Sequence, residues 1–256
     1  MGKDKTFQFK ARVVENKKAK GHYWRCVLSA PQIAAVALPG QFIQVRIEDN
    51  RQPVFLRRPF SIFGTRGANL TILYQVVGSG TEVFSAKKRG AVLDIIGPLG
   101  NGFEISPKEK AVTRLMVAGG IGVAPLFFLA KRLAEAQGPK SQAPNIVLLG
   151  AKTKDQILCE KDFKDYGYSV KIATDDGSRG FHGYVSGLLK QELLGTGCRQ
   201  AQIYACGPQP LLKEVAIIGK RHRVPAQVSL EAHMACGIGA CLGCVVNTKT
   251  GLQRVC

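Results

Sequence analysis

The chain has 256 residues, enough for two domains with cores of their own and a small appendage. Its hydrophobic content of 45% is that of an ordinary globular protein. No apolar run reaches membrane-spanning length, and MGKDKTFQFK lacks the apolar centre of a signal peptide, so a helical membrane protein is excluded and a cytoplasmic location is expected.

The net charge of +18, from 36 basic and 18 acidic residues, invites a nucleic-acid reading. However, Lys3, Lys5, Lys10, Arg12, Lys17, Lys18, Lys20 and Arg25 are dispersed, and no aromatic-interleaved basic motif accompanies them. The sequence thus predicts a solvated basic surface, with attraction to anionic cofactors or an acidic partner as a secondary role. Of the eight cysteines, Cys26, Cys159, Cys198 and Cys206 are scattered singly and form no disulfide framework.

From Phe7 to Phe103 short alternating strands rich in β-branched residues are split by turns, with one short helix candidate at Gly80–Lys88. This spacing predicts a small closed antiparallel barrel. In RRPFSI, Pro59 fixes the backbone between Arg58 and Ser61, so that a guanidinium and a hydroxyl can converge on one anionic ligand. In GSGTEVFSA, Gly78 to Ala86, a glycine turn opens a helix with Thr81 at a capping position and amides facing a phosphate. Taken singly, Arg58 reads rather as a surface salt-bridge former and Gly78–Gly80 as a hairpin turn.

At Arg114 the pattern changes. RLMVAGG is an apolar strand, and Pro125–Ala136 is an amphipathic helix with its proline near the start. The runs NIVLLGA, YSVKIAT and QIYACG alternate with helical or loop segments, which predicts a parallel sheet flanked by helices. The loop Gly119, Gly120, Ile121, Gly122, Val123, Ala124, Pro125 lacks the third glycine of the dinucleotide fingerprint, yet it follows a strand and opens a helix. Asp175 and Asp176 in TDDGSRG fall where an adenosine ribose would lie; a carboxylate there accepts from a 2′-hydroxyl and repels a 2′-phosphate, favouring NAD, whereas Ser178 and Arg179 argue the opposite.

Cys236, Cys241 and Cys244 stand with four and then two residues between them, and Cys256 follows after eleven more. This is the plant-type spacing of a [2Fe–2S] cluster. Gly237, Gly239 and Gly243 let the loop turn its amides toward sulfur. A structural zinc site is the competing reading, but zinc ligands come as two short clips, not as three thiols in one glycine-rich loop. His233 reads as a bystander.

In this order, R-P-x-S, the glycine turn, GGxGxAP and CGP resemble the ferredoxin–NADP reductase superfamily. With GPLGNGF and EAHMACGIGACLGC added, the chain from about Phe7 to Cys256 is most similar to the family of dihydroorotate dehydrogenase B electron transfer subunits. The resemblance implies an antiparallel Greek-key FAD-binding barrel over 1–104, a parallel-sheet α/β NAD-binding domain over 105–225 and a [2Fe–2S] segment over 226–256. It assigns Arg58, Pro59, Phe60, Ser61, Leu73, Tyr74, Gln75, Gly80 and Thr81 to FAD. Gly119, Gly120, Gly122, Pro125, Asp175, Cys206, Gly207 and Pro208 go to NAD, with Cys206 positioning the nicotinamide and not acting as a nucleophile. Cys236, Cys241, Cys244 and Cys256 hold the cluster.

The family further implies a heterotetramer of two such chains with two FMN-containing catalytic subunits. Electrons from dihydroorotate oxidation pass through the cluster and FAD to NAD⁺ in pyrimidine biosynthesis, and no orotate site is expected on this chain. The family usually continues for several residues past its fourth thiol, so an end at Cys256 bears on cluster stability. Two alternatives differ in partner or class: an NAD(P)H-linked subunit of a sulfhydrogenase, sulfite reductase or glutamate-synthase-like complex, and a non-enzymatic redox sensor.

Overall fold

The computed structural model describes residues 5–47, 55–105, 113–137, 145–195 and 201–256. Lys3 and Cys198 lie outside them. The chain divides into two compact units, Met1–Gly102 with Ala232–Cys256, and Phe103–Glu231.

In the first unit β1 (Phe7–Lys20), β2 (Tyr23–Ser29), β3 (Phe42–Arg46), β4 (Arg58–Arg66), β5 (Asn69–Gln75) and β6 (Val92–Leu99) close into an antiparallel barrel. The strand order β1-β2-β5-β4-β3-β6 is a Greek key. Alternation builds the interior: Cys26, Leu28, Ile43, Val45, Ile62 and Ile72 are all fully buried. Two short helices interrupt the strands, α1 (Pro31–Val36) and α2 (Ser79–Ser85). The second matches the expected candidate; α1 was not anticipated, because six residues are too few to display a helical period.

The far end of the chain returns to this unit. After the cysteine loop, β13 (Val245–Thr248) and β14 (Gly251–Arg254) form a hairpin around Lys249 and Thr250, with the Thr248 hydroxyl donating to the Gly251 carbonyl at 2.7 Å. Gly251 takes the positive φ of 101° that the turn requires. On β3 both faces are buried: Ile43 and Val45 on one, Phe42 and Gln44 on the other, although strand alternation alone would leave the second face wet.

The second unit is a parallel sheet in the order β10-β9-β8-β7-β11-β12. Its strands are β7 (Thr113–Gly119), β8 (Asn145–Ala151), β9 (Ser169–Thr174), β10 (Phe181–His182), β11 (Ala201–Cys206) and β12 (Ala226–Ser229). Those at the centre are buried on both faces, as in β11, where every residue from Ala201 to Cys206 is enclosed. The helices are α3 (Val123–Gln137), α4 (Glu160–Asp165), α5 (Val185–Gly195) and α6 (Gln209–His222). Val185, Leu188 and Leu189 of α5 and Leu212, Val215 and Ile218 of α6 pack with Leu115, Leu148 and Ile203 from alternate positions of the sheet.

Pro125 is the third residue of α3, within the first turn, where a missing amide costs no intrahelical bond. Ala226–Ser229, which the sequence reading grouped with the cysteine segment, pairs in register with Ile203–Cys206 as the edge strand of this sheet. Glu104 is held here as well: its amide donates to Gln227 Oε1 at 2.8 Å, and its carbonyl accepts from Gln227 Nε2 at 2.9 Å.

Candidate functional site

Cys236, Cys241 and Cys244 occupy one loop of the first unit, in which Gly237, Gly239 and Leu242 adopt positive φ of 70°, 80° and 57°. That path turns main-chain donors onto sulfur. The Cys241 amide donates to Cys236 Sγ, the Gly243 amide to Cys241 Sγ and the Cys256 amide to Cys244 Sγ, each at 3.4 Å. The hairpin brings Cys256 Sγ to 3.1 Å from Cys244 Sγ, with the Val255 amide donating to the Cys244 carbonyl at 3.1 Å. Arg254 ties hairpin to loop by donating from Nη1 to the Gly239 carbonyl at 3.0 Å.

Electrostatics follow this geometry. The amides of Cys241 and Ile238 pull the Cys236 thiol down to about 6, toward the thiolate that binds metal. At Cys244 burial works upward, but the Cys256 amide and thiol outweigh it and the net direction is down; burial, together with the shared proton, raises Cys256. Among the described residues no three histidine, cysteine or acidic side chains converge on one point as a single ion requires. Cys244 and Cys256 meet sulfur to sulfur, and Cys236 Sγ is linked to Cys241 through the latter's amide, which sets the four cysteines two by two. Two thiolates per iron is what a [2Fe–2S] cluster asks of a protein, so the donor set fits that group. His233 is exposed and takes no part in these contacts.

Against the loop lies an orphaned amide. Gln44 is fully buried, and neither its Nε2 nor its Oε1 has a hydrogen-bond partner among the described residues. An unmade hydrogen bond of this kind costs about 1–3 kcal/mol.

On the barrel, the two arginines of RRPFSI part company. Arg57 is tied to Asp94 of β6, donating to its carbonyl and its carboxylate at 2.9 Å each. Arg58 makes one local bond, from Nη1 to the Leu56 carbonyl at 2.7 Å, and so keeps donors for an anion. Phe60 meets Tyr74 edge-on at 5.6 Å and Phe84 at 5.2 Å, and Tyr74 stacks on Phe84 at 4.6 Å. The Tyr74 hydroxyl donates to Asn16 Oδ1 at 3.0 Å, while Asn16 Nδ2 donates to the Phe84 carbonyl at 2.8 Å.

Tyr74 and Leu73 are buried and Gln75 is half-buried, so the first two have little but main chain to offer a ligand. Thr81 is the third residue of α2 and caps the helix start from there, so its hydroxyl is spent locally. It accepts from the Val77 and Gly78 amides at 2.9 and 3.2 Å and donates to the Gly78 carbonyl at 2.8 Å. Gly80 is buried beside it, and Gly78, at the head of the helix, is extended.

In the second unit the two glycine motifs meet. β8, β9 and β10 run off one side of β7, while β11 and β12 lie on the other, so the chain reverses direction across the sheet between β7 and β11. That is where open parallel sheets bind nucleotides. A side chain at Gly122 would overlap the Cys206 carbonyl, and one at Gly119 would come within 2.9 Å of Pro208 Cδ. At Gly207, with φ of 152°, a Cβ would be 3.0 Å from the Gly119 backbone. Gly120 takes φ of 54° over open space. Cys206 is buried, and its thiol is pushed up to about 12 by that burial and by the charge of Glu231, so it keeps its proton. Glu231 opens the EAHMACGIGACLGC motif, yet its action on Cys206 is not visible in one dimension.

Asp175 is exposed past the end of β9. Its rivals for the ribose are engaged. Arg179 Nη2 donates to Glu160 at 2.9 Å, and the Ser178 hydroxyl donates to Asp176 Oδ1 at 2.6 Å.

Comparison with known proteins agrees with this geometry. Residues 116–216 match the oxidoreductase NAD-binding domain, and 231–256 match the iron–sulfur cluster binding domain of dihydroorotate dehydrogenase B. Among solved structures, the NADH-dependent reduced ferredoxin–NADP oxidoreductase is similar with a TM-score of 0.81 and 29% identity, over 96% of this chain and 85% of that one. The ferredoxin reductase of carbazole 1,9a-dioxygenase shares the fold, with a TM-score of 0.70 at 21% identity, over 88% and 70%. Barrel, parallel sheet and thiol loop define an NAD-linked flavin and iron–sulfur oxidoreductase of the ferredoxin reductase type.

Curated relatives specify it further. The electron transfer subunit of dihydroorotate dehydrogenase B (NAD(+)) from Desulforamulus reducens is 43% identical over 85% of this chain and 80% of its own. That from Caldanaerobacter subterraneus subsp. tengcongensis is 38% identical over 98% and 94%. The chain belongs to this family, the one its motifs resemble, and not to the sulfhydrogenase or glutamate-synthase alternatives.

Proposed function

We propose that this chain takes electrons from an FMN-containing dihydroorotate dehydrogenase catalytic subunit, in a cytoplasmic heterotetramer of two plus two, and delivers them to NAD⁺ as dihydroorotate becomes orotate. The reading is supported by four cysteines brought together two by two, Cys236 held by the Cys241 amide and Cys244 meeting Cys256 at sulfur, with Cys241 exposed. Beside these thiols Ile238, Leu242 and Leu252 are 57%, 61% and 74% exposed, an apolar rim suited to a protein partner. Among the described residues no helix is long and apolar enough to cross a membrane.

When bound, FAD exchanges a hydride with the nicotinamide and single electrons with the cluster, which joins a two-electron carrier to a one-electron one. Arg58 and Ser61 hold the flavin's anionic and polar groups from β4, while Pro59 and Phe60 set the strand's path. The main chain of Leu73 and Tyr74, the Gln75 side chain and the turn stiffened by Thr81 at Gly80 complete that cradle. In the second unit Gly119, Gly120 and Gly122 let the nucleotide approach the main chain where α3 begins, with Pro125 in its first turn, and Asp175 accepts from the adenosine ribose. Gly207 and Pro208 keep the neighbouring strand end close, and the protonated Cys206 positions the nicotinamide without forming a bond to it.

The deciding experiment is dihydroorotate-dependent NAD⁺ reduction by the anaerobically purified chain, with and without an FMN-type catalytic subunit. NADH forming only in the mixture is the expected result. NADH that bleaches flavin and cluster directly, with no turnover in the mixture, would keep the redox groups and remove the partner.

A further inference from the structure

Gln44 lies on β3, in Cα register with Pro59 of β4, so both side chains leave the barrel on the same face. Its other flanking strand presents Ile96, which offers no side-chain acceptor. Gly237, the residue after Cys236, covers that face: with φ of 70°, it brings bare main chain against the amide, and a side chain there would overlap Gln44 Nε2. A primary amide carries two N–H donors and an acceptor, and interiors do not leave such a group unpaired unless something else binds it.

Thiolate and sulfide sulfurs are acceptors only, and of the loop's three cysteines it is Cys236 that adjoins Gly237, the residue against the amide. We propose that Gln44 donates an N–H to a sulfur of the cluster at Cys236 and thereby sets its reduction potential. A donor stabilises the reduced, more negative cluster, so the effect is to raise the potential. Gln44 is also in register with Pro59 of the flavin motif, so β3 adjoins both the cysteine loop and that motif. The inference rests on the cluster reading given above.

The test uses the full chain, purified anaerobically with its cofactors. Gln44→Met keeps length and volume and removes the donors. Flavin content equal to wild type shows an intact barrel, and an electron-paramagnetic redox titration then reads the cluster. The expected outcome is a midpoint shifted to more negative potential with altered g-values; a fully loaded Gln44→Met cluster with the wild-type midpoint and spectrum would overturn the assignment.

Should the variant not fold, the wild-type chain labelled with ¹⁵N in the glutamine side-chain amides supplies the second measurement. Pulsed spectra of the reduced cluster are expected to show coupling to a side-chain nitrogen, and its absence overturns the proposal. A wild-type chain that forms no cluster on reconstitution removes the cluster reading itself. A loaded chain indifferent to Gln44 removes this inference alone.

Discussion

Cys244 and Cys256 meet at 3.1 Å although they lie twelve positions apart, because Val245 pairs with Arg254 and the hairpin folds the chain back on itself. Cys256, the fourth ligand proposed, is therefore delivered by a two-residue turn and not by the cysteine loop. Cys256→Ser is expected to abolish the cluster's visible absorbance and bound iron while leaving flavin content unchanged. Gly251→Val, which forces a branched residue into φ of 101°, should weaken the hairpin by about 1–2 kcal/mol and lower iron retention without touching a thiol. Iron and flavin assays on the same preparations check both.

Gly122 has no room for a methyl group. Gly122→Ala must push α3's leading turn away from the Cys206 carbonyl. A destabilisation of about 1–3 kcal/mol is expected in urea unfolding, with NADH affinity reduced about tenfold or more. Gly120→Ala, facing open space but at φ of 54°, should cost about 1 kcal/mol and leave affinity closer to wild type. Equal effects of the two would sink the close-approach explanation.

Arg57 and Arg58 differ in duty despite their adjacency. Arg57→Ala strips two bonds from Asp94 and should destabilise the barrel by about 1.5–3 kcal/mol. Arg58→Ala should leave unfolding nearly unchanged and weaken FAD retention by about tenfold to a hundredfold, read by flavin release on dilution.

Glu160 restrains Arg179. The hydrogen bond from Lys164, with Arg179 adding its charge, holds the Glu160 carboxyl below its ordinary value of 4.5. A lowered folded pKa means that the stabilisation is complete above the ordinary glutamate range and is lost as pH falls through the folded value. Glu160→Gln should cost about 1 kcal/mol near neutral pH, with the difference from wild type vanishing in acid. It also frees a guanidinium near the ribose position, so NADPH use relative to NADH should rise. Stability curves against pH and the ratio of NADPH to NADH oxidation test the two consequences separately.

Much of the site was legible because its chemistry sits in short contiguous motifs. The C-x4-C-x2-C spacing, the glycine turn after β7 and the CGP segment each announce a loop whose residue types are forced by sulfur or by close backbone approach. Strand alternation likewise predicted the barrel, and apolar runs the parallel sheet. Thr81 was expected at a capping position, and it does cap the start of α2, from the third residue. Two things escaped. The motif singles out Arg58, but the tie of Arg57 to Asp94 shows only when another strand is brought across. Gln44 is one polar residue in a strand, and its burial depends on a segment of chain almost two hundred positions away, beyond the reach of any periodicity.

The thiol segment belongs with the barrel, yet residues 103–231 are synthesised between them. A nascent barrel therefore leaves the ribosome with Gln44 not yet covered by Gly237, and it stays so while the whole parallel sheet is made. Contacts of such long sequence separation form late. The four cysteines cannot be gathered before Cys256 is made. Maturation thus has a fixed order, and the half-built barrel face is the stretch that a chaperone or an assembly factor would have to guard.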